Sequence, residues 1–283
     1  MTIKRVGIVG SGIMGSGIAE VAAKAGFEVV LRSRQQETAD RMVAGLEKSL
    51  AKQVERGKLE EADRDAVLGR VRAVADLGEL AECDLVIESI VEDLATKKVL
   101  FNELDRICGD GAILATNTST LPVVEMAMES RPEKVCGIHF FNPAPMMPLV
   151  EVVAAITTSD ETVEAARAFA ETCGKSPVLV KDQAGFIVNA LLFPYLNNAV
   201  KLLDAGVATR DDIDAAMKGG CNFPMGPLEL LDLVGLDTSL SILEALYDEF
   251  KDPNYAPAPL LKRMVSAERL GRKTREGFYD YRK

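Results

Sequence analysis

Lys4-Arg5-Val6-Gly7-Ile8-Val9-Gly10-Ser11-Gly12-Ile13-Met14-Gly15-Ser16-Gly17 reads as a short apolar strand that runs through a glycine turn into a helix. Gly10, Gly12 and Gly15 have G-x-G-x-x-G spacing, and each has its own physical use. Gly10 permits a tight turn, Gly12 lets the backbone approach a pyrophosphate, and Gly15 lets the helix pack closely on the sheet, with phosphate at the helix N-terminus. Alone the triplet is a weak signal, since an unliganded glycine turn is spelled the same way. Its context strengthens it: a helix is expected over residues 13–25, and a second β-prone run follows at 28–32. We therefore expect an α/β, Rossmann-type dinucleotide-binding domain, with cofactor contacts at Gly10, Gly12, Ile13, Met14 and Gly15. At the tip of the second strand, where an acid would accept a hydrogen bond from a ribose 2′-hydroxyl, stands Ser33, between Arg32 and Arg34. Without that acid a 2′-phosphate is not repelled, so Ser33 and Arg34 favour NADP(H), with Arg32 as a second candidate. The alternative is that both arginines face solvent or pair with Glu37 or Asp40.

From Glu37 to about Arg72 the chain is highly charged, with apolar residues at helical intervals (Met42, Leu46, Leu50, Val54, then Ala66, Val67 and Val71). Two helices joined near Arg56-Gly57-Lys58 are expected, a helical hairpin inserted into the nucleotide-binding unit. Such hairpins are commonly just solvated; Ser49, Lys52 and Arg56 are the ligand candidates on this one. Strands near 72–74, at 84–88 and at 112–116 then alternate with helices at 94–107 and from Pro122, which argues a parallel sheet covered on both faces. Ligands bind beyond the carboxyl ends of such strands, where Ser89 to Asp93 and Asn117 to Thr120 lie. Ser119 is, by itself, better explained as a helix N-cap or turn hydroxyl than as a catalytic group. A helix at 162–173 and a last strand at 177–180 complete the alternation. After Lys181 only helices are expected, at 186–203, 210–218, 236–250 and 259–267, separated by Gly219-Gly220, Pro224 to Pro227 and 253–259. Residues 1–183 and 184–283 are read as the two domains, the second all-α. Its first helix is apolar around much of its circumference, which suits a homodimer interface, and it carries the polar Asn189 among apolar neighbours.

His139, the only histidine in 283 residues, precedes a run containing Pro143, Pro145 and Pro148 and then Glu151. The prolines predict a rigid turn, and the β-prone flanks at 135–140 and 149–153 predict a strand and a returning strand. That arrangement sets His139 beside Glu151, where a carboxylate on one ring nitrogen leaves the other free to exchange a proton. A histidine buried only for packing is the competing reading.

Composition limits the classes. A hydrophobic fraction of 48% and a charged fraction of 27% are those of a soluble globular chain. No run has membrane-spanning length, and a strand begins almost at the N-terminus, so a cytoplasmic protein without membrane attachment is expected. The five cysteines form no C-x-x-C pair and give no metal constellation. A net charge of −10 argues against nucleic acid and requires a local positive patch for any anionic ligand.

Seven segments in order, GIVGSGIMGSGIA, IVEDLATKKVLFNELD, ATNTSTLPV, GIHFFNPAPMMPLVEVV, DQAGFIVNALLFPYLNNAV, FPMGPLELLDLVGLDT and GRKTREGFYDY, together resemble the short-chain L-3-hydroxyacyl-CoA dehydrogenases over essentially the whole chain. The resemblance implies interconversion of (S)-3-hydroxyacyl-CoA, with a 3-hydroxybutyryl chain, and the 3-ketoacyl-CoA, in fatty acid or butanoate metabolism, by a homodimer joined through its helical domain. It places the catalytic histidine on His139, its partner on Glu151, and substrate contacts on Ser119 and Asn189. It also implies cofactor contacts at Glu92, Lys97, Asn117 and Asn142, CoA contacts at Ser49 and the inserted helices, and NAD(H) as the family default. Ser33 and Arg56 depart from its pattern, an acid and a lysine being expected there. A sugar-acid (gulonate-type) dehydrogenase and a non-catalytic nucleotide-binding protein on the same fold are the alternatives. Turnover dependent on CoA separates the first, and retention of Ser119, His139, Glu151 and Asn189 together argues against the second.

Overall fold

Val6, Ile8 and Val9 are wholly shielded because the strand that carries them lies inside a sheet covered on both faces. A computed structural model, describing residues 2–282, divides the chain into two units between Asp182 and Gln183. That is one residue before the expected boundary; Ala184 N already donates to the Glu249 carboxylate of the second unit. In the first unit β1 (Arg5–Val9), α1 (Ile13–Lys24) and β2 (Glu28–Arg32) are followed by the hairpin α2 (Gln36–Glu55) and α3 (Glu61–Leu68). Then come β3 (Val71–Val74), β4 (Leu85–Glu88), α4 (Leu94–Ile107), β5 (Ile113–Thr116) and the short α5 (Val123–Ala127). β6 (Val135–Phe140), β7 (Leu149–Ala154), α6 (Asp160–Thr172) and β8 (Ser176–Lys181) complete it. The eight strands are ordered β3-β2-β1-β4-β5-β6-β7-β8. Neighbours are parallel except β6 and β7, which the proline turn joins as an antiparallel pair. The order reverses direction at β1, so β1 and β4 diverge into a crevice at their carboxyl ends, the usual ligand position in an open α/β sheet.

The second unit holds α7 (Val188–Asp204), α8 (Arg210–Cys221), α9 (Pro227–Val234), α10 (Leu236–Phe250) and α11 (Pro259–Ser266) around its own apolar core. Three differences from expectation have local causes. α7 starts two residues late because Gly185 and Phe186 both take positive φ, which no helix can include. Gly219 and Gly220 lie inside α8, whose stop is the left-handed Asn222. No helix is expected where α9 lies, Pro224 to Pro227 reading as a breaker, yet Pro227 occupies a first-turn position where its missing N–H costs nothing. Buried Asp214 accepts from Leu228 N (2.9 Å) and Glu229 N (3.0 Å), satisfying the start of that helix. Asp232 likewise accepts from Phe278 N (2.9 Å) and Tyr279 N (2.8 Å), fastening the C-terminal segment.

Candidate active site

Each glycine of the first turn has a different surrounding. Gly10 has φ +137°, and a Cβ there would collide with the Ser89 carbonyl at the end of β4. A Cβ at Gly15 would collide with the Gly10 carbonyl, so α1 packs against the turn itself. Around Gly12 a Cβ would meet nothing within 4 Å: the turn is open on that side, which leaves room for a pyrophosphate. The crevice beside the turn has a volume of about 550 Å³ and is lined by Gly10, Gly12, Arg32, Ser33, Arg34 and Glu103 among others. Ser33 N donates to Val74 O (3.1 Å), so the β2 ladder extends one residue past Arg32. Arg32 Nε donates to Ala75 O (3.1 Å), and burial lowers the pKa of its guanidinium. Arg34 is exposed and, among the described residues, makes no salt bridge. The first unit therefore has the turn and the crevice that a dinucleotide needs.

His139 and Glu151 face each other in the β6–β7 register. Glu151 Oε2 lies 2.7 Å from His139 Nδ1, and both side chains are buried. A carboxylate there holds the proton on Nδ1 and leaves Nε2 as the working nitrogen. Ser119 Oγ lies 3.2 Å from that Nε2. Phe141 closes one side, with ring centroids 4.5 Å apart. The hairpin that carries the pair is held from outside by Lys175, whose Nζ donates to Ala144 O (2.6 Å) and Met147 O (2.8 Å). Asn117 Oδ1 accepts from Phe140 N (2.8 Å), so Asn117 aligns the β5 loop with β6.

Glu92 and Lys97 belong to a network that sequence reading did not find. Lys97 is only 1% exposed; its Nζ lies 2.6 Å from Glu88 Oε1 and 3.2 Å from Glu92 Oε2. Glu88 is fully buried and also accepts from Ile90 N (2.6 Å) and Thr116 Oγ1 (2.7 Å), so the charge is compensated on every side. Glu92 accepts from Ser119 N (2.9 Å) and from the Thr118 hydroxyl. Lys97 thus stands behind Glu92, and Glu92 holds the loop of Ser119. The available signal was Glu88 itself, an acid ending a strand otherwise made of Leu, Val and Ile. An acid in such a strand needs a cation.

A second cavity, of about 530 Å³, runs between α1, α2 and the proline turn, with Ser49 and Asn142 in its lining. Lys52 and Arg56 follow Ser49 on the same helical stripe and are exposed. Asn189 is buried near the start of α7 in the second unit. Among the described residues no group of three or more His, Cys, Asp or Glu could hold a metal ion. Among the described residues no helix is long and apolar enough to cross a membrane.

A dinucleotide crevice at the switch point of a parallel sheet, with a histidine–carboxylate couple in the same unit, defines a nicotinamide-dependent dehydrogenase. Residues 5–183 match the family model "3-hydroxyacyl-CoA dehydrogenase, NAD binding domain", and residues 185–281 match "3-hydroxyacyl-CoA dehydrogenase, C-terminal domain". The chain belongs to the 3-hydroxyacyl-CoA dehydrogenase family. Over 286 residues it is 47% identical to a 3-hydroxybutyryl-CoA dehydrogenase of Mycobacterium tuberculosis, covering 99% of each chain. It is 46% identical over 280 residues to that of Clostridioides difficile, covering 99% of this chain and 100% of the relative. The crystal structure of (S)-3-hydroxybutyryl-CoA dehydrogenase from Ralstonia eutropha superposes with a TM-score of 0.97 at 42% identity, covering 100% of both chains.

Proposed function

We propose that the enzyme interconverts (S)-3-hydroxybutyryl-CoA and acetoacetyl-CoA, with His139 as the acid/base. The observation that carries this is the line Glu151, His139, Ser119, with His139 Nε2 directed at the serine hydroxyl. A bound nicotinamide supplies the hydride transfer at carbon 3. In the oxidising direction His139 Nε2 takes the proton of the 3-hydroxyl; in the reducing direction its imidazolium returns it and stabilises charge developing on the ketone oxygen. Glu151 keeps the ring oriented, with its Nδ1 proton held by the carboxylate. Ser119 would fix the substrate by a hydrogen bond, holding near-attack geometry, and Asn189 is the substrate contact proposed for the second unit. Gly10, Gly12, Ile13, Met14 and Gly15 would hold the pyrophosphate, with Glu92, Asn117 and Asn142 ordering the nicotinamide end and Lys97 supporting Glu92. Ser49, Lys52 and Arg56 would receive the CoA moiety, giving an anionic carrier local cations on a chain of net charge −10.

Within the nicotinamide cofactors this reading favours NADP(H). Ser33, Arg34 and Arg32 all line the crevice where a ribose 2′-substituent would lie, and none of the three is an acid. The same reading makes the second unit a substrate and dimerisation domain. Reduction of acetoacetyl-CoA, followed with NADH and with NADPH and extended to longer 3-ketoacyl-CoAs, tests it. Turnover of acetoacetyl-CoA is expected, faster with NADPH; absence of turnover with every acyl chain and both cofactors refutes it.

A further inference from the structure

The cavity between α1 and α2 has a carboxylate in its wall. Glu20 lines it although the residue is only 5% exposed. Glu20 Oε1 accepts from Lys24 Nζ (2.6 Å) and Gln53 Nε2 (2.9 Å), and Oε2 accepts from Ser49 Oγ (3.4 Å). Lys24 Nζ also donates to Gln53 Oε1 (2.7 Å), so four side chains tie the inserted hairpin to the dinucleotide helix.

Two consequences follow for any ligand in that cavity. The Ser49 proton is directed to Glu20, so the lone pairs of the hydroxyl are what a ligand meets; Ser49 is an acceptor there. Lys24 already offsets the charge of Glu20, and Oε2, which takes only the Ser49 bond, keeps a lone pair for a further donor. The surface beside Glu20 and Ser49 therefore suits an N–H donor. The free cations lie beyond it: Lys52 and Arg56, one and two turns further along α2, are exposed and, among the described residues, make no salt bridge. The other end reaches the glycine turn at Gly12 and the proline turn at Asn142, and the helical rise from Gly12 to Glu20 is roughly 12 Å. That distance falls within the reach of the neutral pantetheine arm of a CoA thioester.

We propose that Glu20 determines specificity for the acyl carrier: with Ser49 it forms an N–H-accepting subsite that takes the pantetheine amides or the adenine amino group. This rests on the acyl-CoA reading above. The test is steady-state reduction of acetoacetyl-CoA and of acetoacetyl-pantetheine by wild type, Glu20→Gln and Ser49→Ala at saturating reduced cofactor. Glu20→Gln keeps the side-chain shape and removes the charge. It should raise KM for acetoacetyl-CoA roughly tenfold, the usual effect of losing a hydrogen bond to a charged group, while kcat and the KM of the reduced cofactor stay within about twofold. A parallel rise with acetoacetyl-pantetheine assigns the subsite to the pantetheine amides; a rise confined to the CoA thioester assigns it to the adenine amine. Ser49→Ala, at a half-buried position that tolerates truncation, should raise the same KM and stands in if Glu20→Gln does not fold. Unchanged KM in either folded variant overturns the proposal. So does a fall in KM for Glu20→Gln, which would mean that phosphate lies over the carboxylate, or an equal rise in the KM of the reduced cofactor. A wild type without acyl-CoA turnover sinks the functional reading and this one together; an active wild type with unchanged variants sinks this one alone.

Discussion

His139 carries a prediction that separates chemistry from binding. His139→Gln should lower kcat by about 10²–10⁴-fold, the range for loss of an acid/base group, and leave the Kd of the reduced cofactor unchanged because the glycine turn is untouched. Glu151→Gln should also lower kcat, since an amide in place of the carboxylate no longer fixes the ring orientation and tautomer that leave Nε2 to exchange the proton. Stopped-flow turnover and fluorescence titration of the reduced cofactor measure the two quantities, and near-normal turnover by either variant removes the assignment. The cofactor reading is tested at Ser33 and Arg34. Arg34→Ala should reduce kcat/KM for NADPH by about tenfold, the effect of losing one charge-assisted contact, and spare NADH, while Ser33→Asp should reverse the preference. A wild type that uses NADH better than NADPH contradicts it. The couple of His139 and Glu151 was legible in sequence because prolines announce the turn that brings two distant residues into register. The Glu88–Lys97–Glu92 network was not, because α4 returns Lys97 under the end of β4 and no local pattern spells that return. Nor was Glu20, which sits on the helix that follows the glycine turn and meets partners 29 and 33 residues away.

The β6–β7 hairpin and its turn form the element on which the chemistry stands. Lys175 makes the two hydrogen bonds that hold the turn from the α6–β8 side. Lys175→Met keeps most of the side-chain volume and removes both bonds, so stability should fall by about 1–3 kcal/mol. The loosened turn should also lower kcat/KM for acetoacetyl-CoA more than it alters the Kd of the reduced cofactor. Urea unfolding and the two kinetic constants check this; an unchanged unfolding midpoint refutes it. Strong periodicity made several elements readable nearly to the residue, as in β2, α4 and α10. α9 was hidden because proline both ends helices and begins them, and only the distant Asp214, which accepts from the first turn, decides which applies.

Across the whole molecule, the buried thiols set an alkaline limit. Burial pushes Cys83, Cys136 and Cys173 up to about 12 and Cys108 up to about 11, from an ordinary value of 9.0. A folded-state pKa raised above the unfolded one gives stability that is complete below pH 9 and is lost as pH rises toward 11 to 12. The urea midpoint should therefore decline across that window, and Cys83→Ala should make the decline shallower; parallel profiles for the two proteins contradict the mechanism. Assembly gives the last prediction. Leu191, Leu202, Val207 and Phe223 of the second unit are exposed, and a self-complementary apolar patch is most commonly covered by two-fold pairing. Sedimentation equilibrium should return a dimer, and a concentration-independent monomer refutes it. The histidine, its carboxylate and the turn between them occupy a single stretch of chain, Val135 to Ala154, paired with itself. Exchange of that short stretch between related genes would transmit the couple whole, leaving the residues proposed for cofactor choice and acyl-carrier recognition, on β2, α1 and α2, free to diverge on their own.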